Sequence, residues 1–242
     1  MTQYKKTTGF TLVELMMSMS FIGALLMAIA VTSIHIMNTY TKGLTVREVN
    51  QVGRTVSEDL QRTIATATPF VVSPARTAPT DPVESKYVTL PGGGRLCVGA
   101  YTYAWNYGDT NEISGETLVP VYNTYIDNNE DLIRFVKVND PGGVLCADLN
   151  RQIDKNQAKD LLVAGDRNLA VHELKVSSYT QNSASGQALY AISLIIGTND
   201  QAQLNSADAG CLPPTEGNGS EKFCAINQFN IIARAGNRSG SL

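Results

Sequence analysis

Two histidines, one tryptophan, nine prolines and a charged fraction of 17% are what this 242-residue chain has little of, and each shortage excludes something. Few prolines and few charges exclude an intrinsically disordered chain, as does a hydrophobic share of 43%. A formal net charge of −3 excludes a protein whose whole surface grips nucleic acid. The length leaves no room for two large domains but suits one domain carrying an extra element. A mean hydropathy of −0.09 excludes a polytopic membrane protein.

Catalytic motifs are equally scarce. His35 sits in an apolar run and reads as a neutral packing residue. His172 sits in a strand pattern with no Ser or Cys nucleophile motif to serve. There is no Gly-x-Ser-x-Gly elbow, and Gly92-Gly93-Gly94 lacks the Gly-Lys-Ser/Thr end of a phosphate loop. Asp127, Asn129 and Asp131 stand where the first ligands of a calcium loop would. Leu132, however, occupies the position of the sharp-turn glycine and Val138 that of the bidentate glutamate, so a polar turn is expected. No catalytic residue, metal site or cofactor is expected.

What the chain does have is one long uncharged run. Leu15 to Met37 is 23 mostly apolar residues with no Asp, Glu, Lys or Arg. As a helix it would be about 35 Å long, enough to cross a hydrocarbon core of about 30 Å. Lys5 and Lys6 precede it and Lys42 is the first cation after it, so the N-terminus is expected in the cytoplasm and everything after about Tyr40 outside. A secretory signal cleaved at Ala28-Ile29-Ala30 fits less well, because the apolar run is too long and Glu14 lies at its start. A buried core helix does not suit 23 nearly uncharged residues beside a basic leader. A plain single-pass anchor accounts for the length and the lysines but not for Glu14. A carboxylate at mid-bilayer costs about 2.5 to 3.5 kcal/mol, less near the interface, and normally has a partner. With no cation close by in the same helix, that partner is sought in another chain, in lipid or solvent, or in a new N-terminal amine.

The segment Lys5-Lys6-Thr7-Thr8-Gly9-Phe10-Thr11-Leu12-Val13-Glu14-Leu15 resembles the prepilin signature of type IV pilins and type II secretion pseudopilins. A basic leader ends in Gly, Phe follows, and Glu stands fifth after the Gly. The resemblance implies cleavage between Gly9 and Phe10 by a prepilin peptidase, N-methylation of Phe10, and retention of the apolar span. It also implies that Glu14 pairs with the N-terminal amine of a neighbouring subunit, which answers the need of a carboxylate in an apolar core. Loss of Lys5 and Lys6 would take the formal charge from −3 to about −5. The resemblance covers about the first 37 residues; general architecture carries the rest.

Beyond the span, Val46, Val49, Val52, Val56, Leu60 and Ile64 recur at helical spacing, with Arg47, Glu48, Arg54, Glu58, Asp59 and Arg62 mostly between them. Thr68-Pro69 predicts an end nearby. Strand patterns follow at 87–90, 96–105, 118–125, 132–138, 169–179, 188–196 and 225–234, with a short helix expected over 153–163 and a flexible turn at Pro91-Gly92-Gly93-Gly94. The expected fold is α+β and pilin-like: a long N-terminal helix, transmembrane in its first half and amphipathic in its second, packed on a mostly antiparallel sheet. The expected divisions are a leader at 1–9, a helix at 10–67 (transmembrane about 15–37, amphipathic about 44–66) and an exported β-rich head at 68–242.

All four cysteines, Cys97, Cys146, Cys211 and Cys224, fall on the side expected to be exported, which favours disulfides. Three connectivities are open. Cys97 with Cys146 and Cys211 with Cys224 is preferred, because the second pair brackets a Pro/Gly-rich loop at 212–220 that buries little. That region resembles the disulfide-bounded C-terminal region of many pilins, which is often a contact surface. Zinc is disfavoured by the absence of Cys-x-x-Cys spacing. The aromatic series Tyr101, Tyr103, Trp105 and Tyr107 reads as one packed sheet face, and the scattered Lys222, Arg234 and Arg238 attract polyanions only weakly, so nucleic acid is not expected as a partner.

The resemblance therefore implies a non-enzymatic filament subunit. It would be a minor pilin, held by a single membrane pass and then assembled through its helix onto other pilin subunits by the platform protein and ATPase, acting in filament initiation or at the tip, hence in adhesion, motility or DNA uptake. The alternatives are a minor pseudopilin of a type II secretion system and, from another class, a membrane-anchored ligand-binding domain that does not polymerise.

Overall fold

One helix takes up the first quarter of the chain. In the computed structural model, α1 runs Leu12–Thr66, 55 residues and so about 83 Å. The structure describes residues 9, 11–77, 81, 84–90, 92–107, 134–149, 151, 153, 157–162, 168–182, 186–199, 204–205, 210–212 and 224–236. The expected strand at 118–125 and the polar turn at Asp127, Asn129 and Asp131 lie outside them, as do Phe10 and most of the 212–220 loop. The helix stops where the Pro69 rule places its end: Ala67 turns extended and its N–H reaches back to Ile64 O at 3.0 Å.

The head is antiparallel β. Strands β1 (Tyr87–Leu90), β2 (Gly93–Val98), β3 (Tyr101–Asn106), β4 (Phe135–Asn139) and β5 (Ala158–Asp160) form a five-stranded meander in chain order. Strands β6 (Leu169–Asn182), β7 (Gln187–Thr198) and β10 (Ile226–Ala235) form a second sheet in the order β10-β7-β6. Strands β8 (Leu204–Asn205) and β9 (Gly210–Cys211) make a small separate pair. An isolated bridge between Tyr107 and Val171 links the two larger sheets.

Alternation decides which face is buried. Along β7, Ala188, Tyr190, Ile192, Leu194 and Ile196 are buried while Leu189, Ala191, Ser193 and Ile195 are less so. The inner face meets the stripe Val49, Val52, Val56, Leu60 and Ile64 of α1 in one core that also holds Tyr103, Trp105 and Phe135 from the meander. The aromatic series behaves as a packed face: Tyr103 and Trp105 are fully buried, and only Tyr101 is substantially exposed. After the helix, Phe70 stacks on Tyr190 at 4.3 Å. Its N–H and C=O both bond the Tyr190 hydroxyl at 2.7 Å, fastening the chain to β7.

Three local expectations are corrected. The run 96–105 is two strands, β2 and β3, because Gly99 takes a left-handed φ of 59° and lets Val98 pair directly with Tyr101. Where a helix is expected over 153–163, the described residues include a strand instead: Ala158–Asp160 pairs with β4, and Ala158 packs beside Val136 and Val138, so the sheet edge overrides the local apolar spacing there. A single helical turn, α2 (Val144–Ala147), lies upstream instead, capped by Asp140, whose carboxylate accepts from the N–H groups of Val144 and Leu145 at 3.0 Å. Gly93 and Gly94 belong to β2 rather than to a turn; a side chain on Gly94 would overlap the Trp105 indole.

Candidate functional site

Exposure divides α1 in two. Leu12 is 74% exposed and Met37 71%, whereas Val49 is 1% and Leu60 0%. Among the described residues this is the one helix long and apolar enough to cross a membrane, and none of its most apolar stretch is covered by the head. Its apolar side chains therefore need a cover from lipid or from another protein. The bare part ends abruptly: Asn38 and Thr41 are half-buried and Thr45 fully buried, so the head begins within a turn of the end of the apolar run.

At the other end of the bare segment stands Glu14. Its carboxylate accepts from the Thr11 N–H and the Thr11 hydroxyl, both at 2.9 Å, while its own N–H donates to Thr11 Oγ1 at 3.3 Å. This is a reciprocal capping box, with Thr11 as N-cap. It adds a partner to those sought from the sequence: the residue three places earlier. The signal Thr-x-x-Glu before an apolar run was there to be read. Negative charge at this position also suits the partial positive charge of the helix start. Gly9 is exposed, with nothing within 4 Å of where a side chain would sit, so its surroundings leave the chain open there.

The docked half is held by more than its valines. Gly53 faces Phe229 of β10 so closely that any side chain would overlap the ring. Small size at this position is what lets helix and strand approach. Val46, expected in the stripe, is 42% exposed, and Thr45, Gly53 and Thr63 complete the face instead. On the other flank a polar clamp joins α1 to the meander. Lys137 Nζ lies 2.9 and 3.0 Å from the two carboxylate oxygens of Asp59 and 2.9 Å from Thr63 Oγ1. The Tyr103 hydroxyl donates to Asp59 Oδ2 at 2.6 Å and sits 2.7 Å from Thr63 Oγ1. Burial, reinforced by the bond to Asp59, raises the Tyr103 pKa well above the usual phenol value, so it stays a neutral donor. Lys137 also lies over the Tyr101 ring at 4.4 Å. This clamp went unread because a lone Asp on a charged helix face looks solvated.

Cys97 is bonded to Cys146, and Cys211 to Cys224. The first bridge ties β2 to α2, and the second ties β9 to Cys224, two residues ahead of β10. Two buried arginines support the first. Arg76 donates to the Cys146 and Ala147 carbonyls at 2.6 and 3.1 Å, and Arg95 donates to those of Leu145, Asp148 and Arg151. Both guanidiniums thus meet the carbonyl end of α2. His35 and His172 are far apart in the chain and in different elements, and among the described residues no group of three or more His, Cys, Asp or Glu could hold a metal.

The structure thus places Glu14 in the first turn of α1 beside its cap Thr11, four residues after Phe10 in the sequence, and sets the cysteines in two pairs in the head. What this arrangement offers chemically is an apolar rod with an acid at its tip and a disulfide-bonded head at its base. No protein-family model, curated protein or solved structure matches this chain.

Proposed function

We propose that this chain is a prepilin-like filament subunit, a minor pilin of a type IV pilus that assembles through α1 and acts in filament initiation or at the tip. The observation that carries this is the division of a single helix: a bare apolar half with Glu14 at its start, continuous with a half docked on a disulfide-bonded head. A membrane accepts the bare half first. Neighbouring helices then replace lipid at little net hydrophobic cost, because lipid tails are as apolar as the side chains they cover. The Gly9-Phe10 bond lies ahead of the helix, where a peptidase can cut without removing the span. Once cut, the Phe10 amine supplies the cation that Glu14 of a neighbour needs, and the Thr11 cap holds the carboxylate until then.

Intact-mass analysis of protein recovered from membranes tests the first step: the N-terminus is expected at a methylated Phe10, and a Gly9→Val variant is expected to keep its leader. Glu14→Gln should leave the protein processed and in the membrane but missing from sheared filaments. Normal recovery of that variant in filaments would refute the assembly role of Glu14.

A further inference from the structure

We propose that the outward face of the docked half of α1 seats the anionic head of a second copy of this chain, along a line of three arginines, Arg47, Arg54 and Arg62. The proposal builds on the filament reading and goes beyond it, because it names a contact that the apolar half does not make. The three residues follow one another at seven- and eight-residue steps, which puts them within about 80° of each other around the helix, opposite the buried valines. All three are exposed, and among the described residues none is paired with them. Glu58 is the acid that shares their face.

The spacing and position of the line select its occupant. Arg47 to Arg62 covers about 22 Å of axis, too far for the three to converge on one small anion. Arg54 and Arg62 lie about 25 and 37 Å beyond Met37, whereas the headgroup zone extends only about 5 to 8 Å past the hydrocarbon, so lipid cannot be the partner of the whole line. A polyanionic nucleic acid would be repelled by the head, where residues 67–242 hold 13 Lys and Arg against 18 Asp and Glu, a net −5. That same charge makes the head of another copy the complementary surface. The helix itself is neutral, with four acids and four cations, and its cations are concentrated at and beyond Lys42. The line also continues the exposed face of Tyr40 and Leu44, so a copy packed along the bare half is carried up against it. Arginine line and acidic head are different surfaces of one chain, which makes the contact heterologous and therefore able to propagate. Single exposed ion pairs are weak and are screened beyond about 8 Å at physiological salt, so such a contact sets register more than affinity.

The test uses the full-length chain in cell membranes with the photo-crosslinker p-benzoylphenylalanine in place of Gln51, on the line between Arg47 and Arg54. The expected product is a dimer-mass adduct whose linked peptide maps beyond residue 67 of the second copy. Changing all three arginines to Glu should reduce that adduct roughly threefold to tenfold, and changing all three to Lys should preserve it. Mapping of both disulfides verifies that the variants fold, and Arg54→Glu alone, expected to act in the same direction, serves if the triple change does not. An adduct only to another α1, to lipid, to nucleic acid or to a different protein overturns the proposal, as does one indifferent to the Glu substitutions. Filament recovery is scored in the same cells. Its absence would overturn the filament reading while the adduct still decides the contact, and filaments without a head adduct would overturn the contact alone.

Discussion

His172 lies in β6, as its strand pattern predicts, but the pattern does not show how the residue is held there. Val171 pairs with Ile196 and Glu173 with Ile195, so His172 is the extra residue of a β-bulge in β6, a feature invisible to a period-two reading of the strand. Its ring is half-buried, with Nε2 3.2 Å from Thr198 O, and Gly197 beside it leaves the space the ring occupies. Burial lowers its pKa below the usual value near 6.5, and the bond to Thr198 only partly opposes this. The unfolded chain therefore binds a proton that the folded one refuses. Stability contributed by the neutral ring is fully present above the unfolded pKa and is lost as pH falls through it toward the lower folded value. The urea midpoint of the detergent-solubilised chain should fall between pH 7.5 and pH 5.5. The His172 share of the slope is limited to about 1.4 kcal/mol per pH unit, and His172→Gln should flatten it. An unchanged slope in that variant would remove His172 from the account.

At the scale of elements, periodicity reached what repeats and missed what occurs once. The stripe Val49, Val52, Val56, Leu60 and Ile64 and the ends of β1, β7 and β10 were legible because burial imposes spacings of 3.6 or 2 on several residues in a row. The β2–β3 hairpin was not, because a two-residue turn between two apolar strands carries one glycine and no proline. The strand at Ala158–Asp160 was not, because three residues pairing with an edge leave no periodic trace. Asp59, Thr63, Tyr103 and Lys137 come from three separate elements, and nothing in any one of them announces the others. Their clamp is partly buried, with Lys137 15% and Asp59 29% exposed, which places its worth above that of a surface pair. Asp59→Ala should cost about 1 to 3 kcal/mol, since it strips the lysine and the phenol of their shared acceptor. Adding Lys137→Met to that variant should cost little more, and a double-mutant cycle by chemical denaturation measures the difference. Additive losses would show that the two residues do not act as a pair.

At the scale of the whole molecule, the links are distributed unevenly. Both disulfides join residues of the head, and neither has a cysteine in α1. By loop entropy the bridges closing 49- and 13-residue separations contribute about 4 and 3 kcal/mol, a mechanism that remains model-dependent. Cys97–Cys146 does more, because α2 presents the carbonyls that the buried Arg76 and Arg95 require, and loosening α2 removes acceptors from both. The bare half of α1 depends on none of this. In a bilayer its backbone hydrogen bonds are internal to the helix, and leaving them unmet is costlier than any loss in the head. Unfolding of the chain in lipid should therefore fail the two-state test. Trp105, the single tryptophan and fully buried in β3, reports the head alone, whereas ellipticity at 222 nm reports both parts. Heating under reducing conditions should carry the tryptophan signal through a complete transition, at a lower temperature than in the oxidised protein, while a helical signal matching the bare half of α1 persists. Loss of both signals together would mean that the bare half of α1 and the head stand or fall as one unit, and that the division of α1 carries no energetic boundary.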